Sequence, residues 1–225
     1  PETGQEEAVD FPLGTADTLG RDELLRLMYG ARVSLEVAIG ATMLSMFIGV
    51  LLGATAGYFR GAIDSLISRL TEIVMAFPLL LFVIALAATV GDRLQDITLG
   101  GLLSPGVLML ILVGGIFGWF YPARIIRAQV LSLREKEFIE AAQMVGSSDW
   151  RIIRSHLLPH LVAPIIVYST LIVAQFVLFE AGLSFLGVGI ELPTASWGSR
   201  LSTAPDFDLQ QPWLMVWPGA AVLIT

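Results

Sequence analysis

The sequence predicts an all-α, polytopic transmembrane helical bundle, and its composition and patterning lead to that prediction. Of the 225 residues, 55% are hydrophobic and only 15% are charged, and the mean hydropathy is +0.76. A soluble domain of this length carries about a quarter charged residues. The apolar residues form long runs, and no polar block between them is long enough to fold separately. We therefore expect a single membrane domain.

Composition also excludes several kinds of site. The chain has no cysteine, which rules out disulfides, thiolate metal ligands and a cysteine nucleophile. The net charge is −7, and no basic face suited to nucleic acid is visible. There is no Walker A sequence for ATP and no Gly-x-Ser-x-Gly or Ser-His-Asp pattern. We expect no catalytic residue and no cofactor on this chain, and nucleic acid is not among its expected partners.

Five spanning segments are visible in the hydropathy pattern. They cover residues 33–57, 71–90, 106–123 and 160–182, and a fifth begins at Trp213. A spanning helix needs about 20 residues, so the fifth segment is expected to continue beyond the last residue of this sequence. In the second segment, Pro78 predicts a kink or a broken first turn.

The first span is rich in small residues at spacings of four, which favours close helix packing in lipid. A helix that faced only lipid would instead be expected to consist mainly of larger apolar residues such as Leu and Val. The small residues of this span are Gly40, Ala41, Ser45, Gly49, Gly53 and Gly57.

Basic residues indicate the orientation of the spans. Residues 58–70, expected to be a short polar connection, and residues 124–157 together hold eight of the 13 basic residues. The positive-inside rule places both segments in the cytoplasm. Residues 1–30, 91–105 and 190–212 then lie outside. The first visible span enters from outside, so an earlier span is expected upstream, which makes about six in all.

The long polar segment 128–157 predicts a helical hairpin. Residues 133–146 (LREKEFIEAAQMVG) favour a helix that stops at Gly146. Ser147, Ser148 and Asp149 can cap a second helix over 150–157, and Pro159 can open the next spanning helix.

The hairpin carries a ridge of small residues that a groove on another protein can grip. Ala141, Ala142 and Gly146 form this ridge, and Glu140 offers an acceptor to an Arg or Lys on that partner. The alternative is an amphipathic helix in the membrane interface. Large apolar residues give that alternative partial support: Phe138, Ile139, Met144 and Val145.

The pattern E-A-A-x3-G at residues 140–146, followed by Leu158-Pro159, resembles the EAA loop of permease subunits of bacterial ABC importers. Other blocks match the same family in order along nearly the whole chain, and it therefore resembles the C-type permease of dipeptide/oligopeptide ABC importers. The blocks are FPLGTADTLGRD (11–22), YGARVSL (29–35), AFP (76–78), VLSLREKEFIEAA (130–142), SDWRIIR (148–154), LSFLGVG (183–189) and PTASWG (193–198).

The resemblance implies the fold of a type I ABC importer permease, with an extracytoplasmic segment at 1–30 and a transmembrane domain at 31–225. It implies that a coupling loop at 128–157 docks into a cleft on a cytoplasmic ATPase. The candidate coupling residues are Glu140, Ala141, Ala142, Gly146, Leu158 and Pro159.

The resemblance also implies the partners and the function. The chain would pair with a second, homologous permease as a heterodimer, and two ABC ATPase subunits would carry ATP and Mg. An extracytoplasmic substrate-binding protein would deliver peptides to this multi-pass protein of the bacterial inner membrane. Nickel and glutathione importers share these motifs, so those substrates stay open. An ATPase-independent secondary transporter and an intramembrane hydrolase are the alternatives from other classes.

Two further features have competing interpretations. Glu180 lies in an apolar run, where a carboxylate points inward or finds a partner. It could line the translocation pathway, or it could form a structural hydrogen bond to a neighbouring helix or to the sister subunit. His156 and His160 are four residues apart, as in half of a zinc site, but no third ligand stands at a fixed offset. We expect no metal site.

Overall fold

The computed structural model describes residues 22–78, 80–86, 97–98, 100–101, 103–190, 194–203 and 213–225, together with Leu13 and Thr89. These residues are mostly helical, which confirms the predicted all-α fold. The helices are α1 (Glu23–Phe59), α2 (Gly61–Ala76), α3 (Leu80–Leu86), α4 (Val107–Gly118), α5 (Phe120–Arg134), α6 (Glu137–Met144), α7 (Asp149–Ile152), α8 (Leu158–Phe185), α9 (Trp197–Thr203) and α10 (Trp213–Ile224), with a π turn (Ile153–Leu157) between α7 and α8.

Several of these helices are suited to crossing a membrane. Helix α1 and the continuous rod Asp149–Phe185 each have 37 residues and are apolar enough to span. Two bent pairs, α2 with α3 at 82° and α4 with α5 at 41°, each make a further span if the pair crosses as one unit. Helix α10 is apolar but shorter, and it begins at Trp213 as predicted. The break expected at Pro78 is also confirmed, since α2 ends at Ala76.

The helix boundaries correct the sequence prediction in two places near the start of the chain. Helix α1 begins at Glu23, so it includes the end of the segment assigned to residues 1–30. The polar connection predicted at 58–70 is wrong, because only Arg60 interrupts the helices there. The charged side chains of α2 find ion-pair partners: Asp64 pairs with Arg127, and Arg69 with Glu72. These charged side chains are therefore compatible with a helix at residues 61–70.

The predicted hairpin helices also differ from the observed ones. The helix expected over 133–146 is interrupted at Glu135 and Lys136, and α6 starts only at Glu137. Pro159 lies in the first turn of α8, as predicted, although α7, the π turn and α8 continue into one another as one rod. The Leu158 N–H donates to the Ile153 carbonyl, five residues back. This wider turn comes immediately before Pro159, which has no N–H to donate.

Helix α1 lies at the centre of the bundle and packs against α4, α5 and α8. Its glycines Gly49, Gly53 and Gly57 face α5. A Cβ at Gly53 would lie 2.5 Å from the Ala123 carbonyl oxygen, which leaves no room for a side chain. The close helix packing predicted from the small-residue spacing is therefore confirmed.

Candidate functional site

The candidate site is a hairpin, residues 135–157, which joins α5 to α8. Its turn is closed by backbone hydrogen bonds at the end of α6. The Gly146 N–H donates to the Gln143 carbonyl at 2.9 Å, and the Ser147 N–H donates to the Ala142 carbonyl at 3.0 Å. Gly146 has φ +79°, the left-handed conformation that this kind of helix end requires. Gly146 is thus the helix stop that the sequence predicts.

One face of the hairpin is buried against the rest of the chain. Ile139 is fully buried and Ala142 is 8% exposed, and both belong to a core cluster with Tyr58 and Leu157. Positions three apart share one helix face, which explains why these two side chains point the same way. The expectation that Ala142 lies on an exposed ridge is therefore wrong, because its methyl group packs inside its own subunit.

The opposite face of the hairpin is exposed, and we call it the tip: Glu140, Ala141, Met144, Val145 and Gly146. Met144 is 82% exposed and Val145 86% exposed. No heavy atom lies within 4 Å of the position where a Gly146 side chain would begin. The tip is therefore an uncovered apolar surface with a carboxylate beside it.

The two remaining predicted coupling residues lie where the hairpin joins α8. Leu158 is half-buried and packs against the hairpin core, whereas Pro159 is exposed. The fully buried anchor at this junction is the preceding residue, Leu157.

A group of side chains that the sequence reasoning missed ties the hairpin to the end of α1. We call Tyr58, Arg134 and Asp149 the tyrosine clamp. The Tyr58 hydroxyl donates to Asp149 Oδ1 at 2.7 Å. The Arg134 guanidinium donates to the Tyr58 carbonyl and lies 5.5 Å from the centre of its ring. Next to the clamp, Arg60 pairs with Glu135 at 2.8 Å. No local sequence signal identifies such contacts.

A second ion pair joins α2 to α5 beside the hairpin. Arg127 donates to Asp64 through Nε at 2.5 Å and through Nη2 at 2.6 Å. Such two-point contacts between a guanidinium and a carboxylate fix the geometry as well as the charge. A polar cavity of about 200 Å³ lies next to the pair and is lined in part by Thr71, Glu72 and Arg124.

Glu180 is fully buried within this one chain. Its Oε2 accepts a hydrogen bond from the Ser34 hydroxyl at 2.7 Å, and its Oε1 accepts one from the Ser184 hydroxyl at 2.7 Å. The carboxylate has no exposed surface in this conformation. The observed contacts match the alternative interpretation, a hydrogen bond to a neighbouring helix. Lining of a translocation pathway by Glu180 stays a prediction.

The histidine pair is used in local packing. His160 Nδ1 lies 2.7 Å from the His156 carbonyl oxygen, and the His160 ring stacks on Phe138 with ring centres 4.9 Å apart. Within the described part of the chain, no three or more His, Cys, Asp or Glu residues come close enough together to hold a metal ion.

Fold and site thus define a polytopic helical membrane protein with a helical hairpin whose tip is uncovered. Residues 49–225 match the family described as the binding-protein-dependent transport system inner membrane component, and the chain belongs to that family.

Curated relatives cover most of the chain. It is 40% identical over 208 residues to the dipeptide transport system permease protein DppC of Alkalihalophilus pseudofirmus, covering 92% of this chain and 64% of that protein. It is 38% identical over 209 residues to the oligopeptide transport system permease protein OppC of Escherichia coli K12, covering 93% of this chain and 65% of that protein. A putative peptide transport system permease protein of Brucella suis is 36% identical over 223 residues, covering 98% of this chain and 70% of that protein.

A solved structure supports the fold. The chain resembles one from an inward-facing form of the MetNI methionine ABC transporter, with a TM-score of 0.69, 16% identity and 89% of each chain covered. At that identity the likeness concerns the fold alone. It agrees with the predicted helical bundle of an ABC importer permease.

Proposed function

We propose that this chain is the permease subunit of an ATP-driven importer that carries di- and oligopeptides into the cytoplasm. One observation carries the proposal beyond family membership: the hairpin has a tip exposed at Met144 and Val145 and an opposite face packed into the core. An uncovered apolar surface of this kind is typical of a docking site, and a short helix that presents one face suits a groove on a partner.

The proposed partner at the tip is an ATPase subunit of the importer. Glu140, Ala141 and Gly146 lie on the docking surface, and Glu140 offers its carboxylate to a cation on the ATPase. Ala142, Leu158 and Pro159 act behind that surface, where they join the tip to the core and to α8. Two such ATPases would bind ATP and Mg, so hydrolysis is assigned to them and not to this chain.

The proposed assembly contains a second, homologous permease and an extracytoplasmic binding protein, in the bacterial inner membrane. When the ATPases close on ATP, they displace the hairpin. The displacement passes into α8, because α7, the π turn and α8 are one continuous rod of 37 residues. Peptide is the proposed substrate since the relatives are named as peptide, dipeptide and oligopeptide permeases.

The test is uptake by the reconstituted complex. The complete importer in proteoliposomes, with its binding protein outside and ATP inside on the ATPase side, should accumulate labelled di- or oligopeptide. The matched control replaces the Walker A lysine of the ATPases, and it should abolish uptake. Accumulation of nickel or glutathione in place of peptide would contradict the proposal that peptide is the substrate. Uptake that persists with the inactive ATPases would favour a secondary transporter.

A further inference from the structure

A small folded segment lies at the end of α8 opposite the hairpin. We call residues 187–190 and 194–203, which include α9, the distal cap. The rod Asp149–Phe185 has 37 residues and is about 55 Å long at 1.5 Å per residue. The distal cap and the hairpin therefore occupy opposite ends of one helix.

Glu180 is the buried centre of a hydrogen-bond network beneath the distal cap. Its carboxylate accepts from Ser34 on α1 and from Ser184 on α8, both at 2.7 Å. Both serines are buried, Ser34 fully and Ser184 at 3% exposure. The network thus joins α1 to α8 at a depth that solvent does not reach.

Each serine also accepts a hydrogen bond from the backbone of the distal cap. The Ser34 hydroxyl oxygen accepts from the Trp197 N–H at 3.2 Å, and the Ser184 hydroxyl oxygen accepts from the Ile190 N–H at 3.0 Å. A serine hydroxyl has one proton. Since each oxygen accepts from a backbone N–H, its own proton is free to go to Glu180. Each of the two described parts of the distal cap is therefore tied, through one serine, to the same carboxylate.

Close packing and a second buried contact fix the same cap. At Gly198 a Cβ would lie 2.6 Å from the Ala181 Cα, so α9 sits directly on α8. The Trp197 indole N–H donates to the Leu27 carbonyl of α1 at 3.2 Å. Arg200 of α9 also pairs with the buried Glu23 at the start of α1. The distal cap thus contacts both long helices at once.

We propose that Glu180 is a positioning residue for transport: it locks the distal cap to α1 and α8, so that a displacement of the hairpin reaches the cap as one rigid movement. This inference rests on the proposed function. The blocks LSFLGVG and PTASWG contribute to the same network, the first through Ser184 and the second through Trp197. The hydrogen-bond partners of Glu180 lie within this chain, so the positioning role differs from lining a translocation pathway.

The substitution Glu180→Gln tests the network without changing its size. A glutamine can accept from one serine through its oxygen, but its NH₂ group can only donate to the other. One serine hydroxyl then loses its acceptor in a buried place, which is more costly than a lost contact with solvent. Ser34→Ala is a smaller change, which removes the hydroxyl that links Glu180 to the Trp197 N–H and leaves the link through Ser184 in place. The matched control is Glu36→Gln, because the Glu36 carboxylate pairs with Arg32 on α1 and is not among the hydrogen-bond partners of the Glu180 network.

The experiment uses the complete importer in lipid nanodiscs and proteoliposomes, with all rates normalised to assembled complex. The readout is the amount of labelled peptide imported per ATP hydrolysed, which a purely structural loss of assembly would leave unchanged. Glu180→Gln should lower this ratio about tenfold and Ser34→Ala by a smaller factor, since a buried hydrogen bond to a charged group is lost or weakened. Glu36→Gln should keep the wild-type ratio.

A spectroscopic measurement supports the same experiment. Nitroxide labels at Met28→Cys on α1 and Ser202→Cys on α9 should give one narrow distance distribution in the wild-type background, and a broader one with Glu180→Gln. If import per ATP and the distance distribution both match wild type, or if only the yield of complex falls, the positioning role is refuted. If the wild-type complex itself imports no peptide with ATP, the proposed function fails instead.

Discussion

Replacing Tyr58 by phenylalanine tests how the hairpin is held in place. The ring stays, so its packing in the core cluster and its contact with Arg134 are kept. Only the hydroxyl is removed, and with it the 2.7 Å hydrogen bond to Asp149. The change therefore isolates one link between α1 and the second half of the hairpin.

The size of the effect follows from the exposure of the acceptor. A hydrogen bond to a charged group contributes about 1.5–3 kcal/mol when it is well shielded. Asp149 is exposed, and solvent screening reduces the contribution to about 1 kcal/mol. A loss of that size changes the equilibrium between the attached and detached hairpin about fivefold. Arg60 still pairs with Glu135, so the hairpin should loosen without unfolding.

Hydrogen exchange measures this loosening directly. In the Tyr58→Phe protein in nanodiscs, the backbone amides of α7 and the π turn should exchange about fivefold faster, while those of α4 keep their rates. Tyr29→Phe is the matched control, because the Tyr29 side chain is 66% exposed. Unchanged exchange in the hairpin would show that the clamp does not hold it, and the reasoning from this contact would be wrong.

Two further predictions concern glycines. Gly53→Ala should lower the thermal unfolding temperature, because the new methyl group would lie 2.5 Å from the Ala123 carbonyl oxygen and overpacking costs about 1–3 kcal/mol. The control is Gly182→Ala, which should not lower that temperature, because its methyl group would meet no described atom within 4 Å outside the adjoining backbone of α8. Equal effects of the two substitutions would contradict the packing argument. Gly146→Trp should abolish ATP-driven uptake by covering the tip. The control Gly146→Ala has the same backbone strain at φ +79°, about 1–2 kcal/mol, and should keep most uptake. Wild-type uptake by the tryptophan variant would remove Gly146 from the docking surface.

Local patterns predicted those features that local chemistry determines. The spacing of Gly49, Gly53 and Gly57 identified a helix-packing face, because a small-residue stripe brings two backbones together wherever the partner lies. Gly146 was predicted as a helix stop because few other residues adopt a positive φ at low cost. Hydropathy and the distribution of basic residues predicted the spans and their orientation, and the resemblance to a known family added the type of permease fold.

Features that depend on distant partners were missed. Asp64 and Arg69 look like loop residues in sequence, but they pair with Arg127 and Glu72 within a continuous helix α2. The direction of Ala142 depends on the core cluster it joins. The contact between Tyr58 and Asp149 joins positions 91 residues apart, and only the folded chain reveals it.

Cross-linking at the tip tests the central claim most directly. The sequence has no cysteine, so Val145→Cys supplies a single reactive thiol at a position that is 86% exposed. In intact membranes that contain the whole importer, a short thiol-directed photo-cross-linker at this position should join the chain to a P-loop ATPase, with a yield that changes when ATP is bound. Failure to cross-link, together with labelling of the thiol by an impermeant maleimide from outside the cell membrane, would contradict the account.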